Sequence, residues 1–71
     1  MPLSTAQLLI LKRALRTVPP GTRLQEPVVA AAAAEAGLTR EYVKQWARDV
    51  LDYYDTPELM ARFLSETRVS L

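Results

Sequence analysis

Seventy-one residues, 49% of them apolar and 24% charged, suit a single folded domain whose core is too small for much net stability without close packing. The absence of cysteine and histidine removes disulfides and the usual zinc ligands as supports, and no cofactor or metal is expected. A net charge of +1 is weak for a small nucleic-acid-binding module, and the longest apolar run, Val28 to Ala34, falls far short of the roughly 20 residues that span a bilayer.

The N-terminal Met1-Pro2-Leu3-Ser4 lacks the basic start and apolar stretch of a secretory signal, so an intracellular chain is expected, nuclear if the organism is eukaryotic. Ser4 and Gln7 then form a capping-box pattern that predicts a first helix over 5–18. Leu8, Leu11, Leu15 and Val18 make its apolar face, with Lys12, Arg13 and Arg16 projecting elsewhere, until Pro19-Pro20-Gly21 stops it. A long loop follows, in which Leu24 is the residue expected to plug the core. Pro27 opens a second helix over 27–36, where Ala30 to Ala34 favour helix but contribute little bulk. Gly37 ends it as a residue tolerant of positive φ.

The third helix, 40–54, begins after the cap Thr39 and carries the clearest periodicity in the chain. Val43, Trp46, Ala47, Val50, Leu51 and Tyr54 form one continuous stripe, with Trp46 central and expected as the core anchor. Thr56-Pro57-Glu58 starts a fourth helix over 57–66, apolar at Leu59, Met60, Phe63 and Leu64. That face is expected to fold back over the thin second helix. No strand-like alternation of useful length occurs. The expected fold is therefore all-α: a three-helix core at about 5–54 with an extra C-terminal helix at about 57–66.

The turn Gly37-Leu38-Thr39 followed by Val43-Lys44-Gln45-Trp46 resembles the homeodomain signature, in which Gly-Leu-Thr or Gly-Leu-Ser precedes Val-Lys-x-Trp. Thr5-Ala6-Gln7-Leu8, with Leu11 and Leu15, is similar to the family's first helix. The resemblance implies a homeodomain-like helix-turn-helix core. It also implies a third helix that would read DNA through its outer face. The departures fall on that function. Asp49 stands where the family has an adenine-binding asparagine, Leu51-Asp52-Tyr53-Tyr54-Asp55 replaces a basic run, and the basic N-terminal arm is absent. In this respect the chain is similar to the homeodomain-only members, which keep the fold, lose the base contacts and act through protein partners.

The preferred expectation is a small non-catalytic module that acts by protein–protein interaction in transcription or genome regulation. Its candidate surface is Tyr42, Gln45, Asp49, Asp52 and Tyr53, because exposed aromatics are enriched where interfaces gain most of their energy. A DNA-binding helix-turn-helix is the alternative, using Arg40, Lys44 and Arg48, which recur every four residues as a basic stripe. Nucleic-acid binding by this stripe is expected to be weak, since Glu41, Gln45, Asp49 and Asp52 lie close by. A ubiquitin-associated-like adaptor is a third alternative, disfavoured by the lack of its Met-Gly-Phe-type loop. No nucleophile–base pairing and no phosphate-cradling glycine loop supports catalysis. Asp49, Asp52 and Asp55 lack the glycine turn of a calcium loop, and the oligomeric state is left open.

Overall fold

Ser4 and Gln7 start the first helix as a reciprocal pair. The Gln7 amide donates to the Ser4 hydroxyl at 3.1 Å, and the Ser4 amide donates to Gln7 Oε1 at 3.0 Å. The computed structural model describes residues 3–19 and 21–66, so Pro20 of the expected helix stop lies outside the described residues. Four helices follow in order: α1 Thr5–Leu15, α2 Glu26–Ala36, α3 Arg40–Tyr53 and α4 Pro57–Ser65. Among the described residues there is no strand.

The first helix ends at Leu15, short of the expected boundary at 18. The Arg16 and Thr17 amides turn to carbonyls three residues back, Arg13 at 3.2 Å and Ala14 at 3.1 Å, which tightens the last turn. The Thr17 hydroxyl donates to the same Ala14 carbonyl at 2.6 Å, and Pro19 disfavours helical geometry at Val18. Helix, turn and proline thus act together at one place.

At the other end of α2, Gly37 takes φ 70°, ψ 33°, and the Leu38 amide bonds to the Ala33 carbonyl at 2.9 Å. This left-handed termination satisfies an end carbonyl and turns the chain into α3. Thr39 accepts from the Tyr42 amide at 3.0 Å to cap that helix, and Thr56 caps α4 by accepting from the Leu59 amide at 3.2 Å. Gln7 Nε2 also donates to the Ala36 carbonyl at 3.1 Å, so the residue that closes the α1 cap also docks α1 onto the end of α2.

The core has two parts. Leu11 and Ala14 of α1, Val29, Ala32 and Ala33 of α2, and Val43 of α3 form the first, with Leu24 and Leu38 packed against it. The alanines let α2 approach its neighbours closely, as their lack of bulk dictates. Leu15, Val50, Met60 and Leu64 form the second part, joining α1, the end of α3, and α4. Leu24 touches both parts, which is the plugging role expected of it.

Two expectations about packing are corrected. Trp46 is half-buried, bridging the two parts instead of anchoring one; the largest fully buried side chains are Leu11, Met60, Val29 and Val43. An indole is rarely enclosed completely, and here the smaller aliphatic and thioether side chains take the enclosed positions. The fourth helix, in turn, packs on α1 and the end of α3, where it had been expected to cover α2. Met60, only 1% exposed, and Leu64 supply its buried contacts, while Leu59 stays 41% exposed.

Basic residues of α1 complete this docking. Lys12 Nζ donates to the Glu66 carbonyl at 3.0 Å and Arg16 Nε to the Leu64 carbonyl at 2.7 Å, meeting the negative end of the α4 dipole. Lys12, expected to project away from the core, is only 3% exposed. Its aliphatic stem lies in the interior while its ammonium reaches the α4 terminus.

Candidate functional site

Helical geometry divides α3 into three stripes. Val43, Ala47 and Val50 are buried, with Trp46, Leu51 and Tyr54 half-buried beside them. Arg40, Lys44 and Arg48 run along one flank, all exposed. Tyr42, Gln45, Asp49, Asp52 and Tyr53 are also all exposed and make up the remaining outward side of the helix, with Tyr42 and Tyr53 at its border beside Trp46 and Asp52 at its border beside Arg48. The five candidate interaction residues therefore share one face, and the three candidate phosphate contacts share another.

The outward side of α3 is aromatic at both ends and anionic between them. Tyr42 is 38% and Tyr53 77% exposed. Gln45 Nε2 donates to Asp49 Oδ1 at 2.9 Å, one turn along the helix, which holds the amide and the carboxylate together. Neither Asp49 nor Asp52 forms an ion pair among the described residues.

The basic flank is partly neutralised by a residue that sequence reading did not single out. Glu26, at the start of α2, pairs with Lys44. The hydrogen bond from Lys44 holds the Glu26 carboxyl below its ordinary range; the attraction of Lys44 and of Arg40 adds to this, against partial desolvation. Arg40 and Arg48 make no ion pair among the described residues. Between this flank and α2 lies a cleft of about 300 Å³ with Leu24, Val29, Ala47 and Leu51 as apolar floor. Arg23, Lys44 and Arg48 on its rim are opposed by Glu26 and Asp52. No run of sequence pairs these residues, because the loop before α2 brings Arg23 and Glu26 across to α3.

A second concavity, about 400 Å³, lies where α3 turns into α4, lined by Tyr53, Tyr54, Leu59, Arg62, Phe63 and Glu66. The Tyr54 and Phe63 rings stack with centroids 4.5 Å apart, and Tyr53 meets Tyr54 edge-on at 4.8 Å. Trp46 continues the run, tilted against Phe63 at 6.4 Å. Burial raises the Tyr54 hydroxyl above its ordinary pKa, with the neighbouring Tyr53 and Glu66 acting in the same direction. A sequence signal for this groove exists in retrospect. Leu59 and Phe63 are four apart, as are Met60 and Leu64, so α4 carries two adjacent apolar stripes, of which one turns inward.

Among the described residues no three acidic side chains come together as a metal-ligating group, and no helix is long and apolar enough to cross a membrane. Comparison with family models, with curated proteins and with solved structures gave no match.

Proposed function

We propose that this chain is a non-catalytic, homeodomain-like helical module that works by binding another protein, in transcription or genome regulation. Support for the architecture comes from the turn between α2 and α3. Gly37 is left-handed, Leu38 packs against the core and Thr39 caps the next helix, while Val43 and Trp46 face the cluster containing Leu11. The regulatory setting, inside the cell and in the nucleus of a eukaryote, follows from the resemblance in that segment.

One observation carries the choice of a protein partner over DNA. The outward face of α3 displays Tyr42 and Tyr53 around Asp49 and Asp52, with no cation paired to either carboxylate among the described residues. Aspartates facing outward repel phosphates, whereas exposed tyrosines supply large contact area at low conformational cost. The basic flank is the rival surface, and its Lys44 is already engaged by Glu26.

Site-specific photocrosslinking in the producing cells tests this reading. A benzophenone side chain at Gln45 should give discrete protein adducts, while the same group at Ala31, exposed on α2, should not. Equal adducts from both positions, or nanomolar binding to a defined duplex in physiological salt, would overturn it.

A further inference from the structure

The cleft between α2 and the basic flank of α3 combines two kinds of surface. Its base is apolar: Val29 and Ala47 lie buried there, with Leu24 and Leu51 half-buried beside them. Its rim carries three cations, Arg23, Lys44 and Arg48, and two carboxylates, Glu26 and Asp52. Glu26 is already paired with Lys44. Arg23 and Arg48 make no ion pair among the described residues, so two guanidiniums remain against the single carboxylate of Asp52.

We propose that this cleft is a docking site for an acidic segment of a partner protein that carries one bulky apolar side chain. The rim sets the sign of the partner, because the excess of positive charge belongs to the lining residues themselves. Arginine suits a carboxylate in particular, since its planar fork donates two parallel hydrogen bonds. The chain contains its own example of a carboxylate held on this rim. Glu26 rests on Lys44, and the hydrogen bond from Lys44, with the attraction of Lys44 and Arg40, holds its carboxyl below the ordinary range. The base sets the anchor. A volume of about 300 Å³ stands at the lower limit of ligand sites, with room for one large side chain between the leucines. An apolar plug there excludes water from Leu24 and Leu51 while acidic neighbours reach Arg23 and Arg48. Nucleic acid fits less well. Its backbone has no apolar group for the base and would set phosphates beside Asp52.

The cleft meets the outward side of α3 at Asp52, so the assignment rests on the protein-binding reading and adds the chemistry of the partner. The test titrates the isotope-labelled full chain with a short synthetic peptide of glutamates around one central phenylalanine, followed by amide chemical shifts. Saturable shifts confined to residues 23–29 and 44–52 are expected. The same peptide with alanine at its centre should bind more weakly, and one with lysines in place of the glutamates should not bind. Arg23→Gln and Arg48→Gln should each weaken the glutamate peptide by about two- to fivefold, the scale of an exposed ion pair, and Asp52→Asn should tighten it by a similar factor. Asp55→Asn changes net charge equally but lies outside the cleft, and should leave the affinity unchanged. All four positions are exposed, so melting temperatures should not move. Equal affinity for the alanine-centred peptide, equal tightening by Asp55→Asn, or shifts centred elsewhere would overturn the assignment. So would tighter binding of random single-stranded or duplex DNA at the same residues, or sedimentation in which copies associate through them without peptide. If crosslinks from position 45 persist while the glutamate peptide does not bind, the cleft assignment fails and the broader reading of α3 stands.

Discussion

Lys12 Nζ lies 4.3 Å from the centroid of the Phe63 ring and donates to the Glu66 carbonyl at 3.0 Å, so a cation of α1 is held between an aromatic face and a helix end of α4. Burial is the largest influence on it and lowers its pKa, against the attraction of Glu66.

The charge at position 12 therefore opposes folding, and its aliphatic stem favours it. Lys12→Met keeps the stem and is expected to melt at or above wild type, while Lys12→Ala loses packing and should melt lower. Between the lowered pKa and the ordinary lysine value of 10.5 the folded chain binds fewer protons than the unfolded one. Stability from this group thus rises with pH through that window. Tyr54 acts oppositely: its contribution is present below its ordinary value of 10.0 and lost as pH rises through the raised one. Subtracting Lys12→Met from wild type cancels Tyr54. The stability difference between the two proteins should shrink toward pH 10.5; a difference that is flat with pH would show that Lys12 is not desolvated.

Met60 and Leu59 are neighbours in sequence with opposite surroundings. Met60→Ala empties the centre of the second core cluster and should destabilise by about 2–5 kcal/mol, which in so small a domain means loss of cooperative folding. Leu59→Ala removes exposed surface and is expected to shift stability by about 0.5 kcal/mol or less. Chemical denaturation of both variants decides the matter, and comparable losses would place Leu59 in the core.

That pair shows where sequence reading stopped. Caps, prolines and glycines mark the chain locally, so Ser4, Gly37, Thr39 and Thr56 placed the four helices within a few residues. The stripe of Val43, Ala47 and Val50 gave the buried side of α3, and with it the outward side carrying Tyr42 and Tyr53. What α4 packs against depends on the direction of a turn, and the apolar spacing of α4 suits either α1 or α2. The Glu26–Lys44 pair and the burial of Lys12 were illegible for the same reason. Both join residues from different helices, and a lysine on a helix usually reads as solvated.

Gly37 offers a cleaner test of the turn. A Cβ there meets nothing within 4 Å, so the cost of a side chain is purely that of the left-handed backbone at φ 70°. Gly37→Ala should lose about 1–2 kcal/mol, and Gly37→Asn less, since asparagine tolerates this conformation. Thermal melts in which both variants match wild type would mean that the turn relaxes to another geometry.

The two faces of α3 make opposite predictions for duplex DNA. Glu26→Gln leaves the hydrogen-bonding shape near Lys44 but removes the charge that engages it, so weak, salt-sensitive binding should tighten. Asp49→Asn removes a carboxylate from the opposite face and supplies an amide donor. If the helix enters the major groove as the resembled family does, Asp49→Asn should tighten binding more for duplexes offering adenine than for others. Glu26→Gln should tighten all duplexes alike. Its stability effect has its own signature. The lowered carboxyl stabilises the fold above the ordinary value of 4.5, and this is lost as pH falls through the folded value. Glu26→Gln should therefore differ from wild type at neutral pH and converge with it in acid. Fluorescence anisotropy at low and moderate salt, with the pH series alongside, separates these effects. Should neither substitution tighten binding while both proteins remain folded, the basic flank does not meet phosphate, and protein contact is left as the use of this helix.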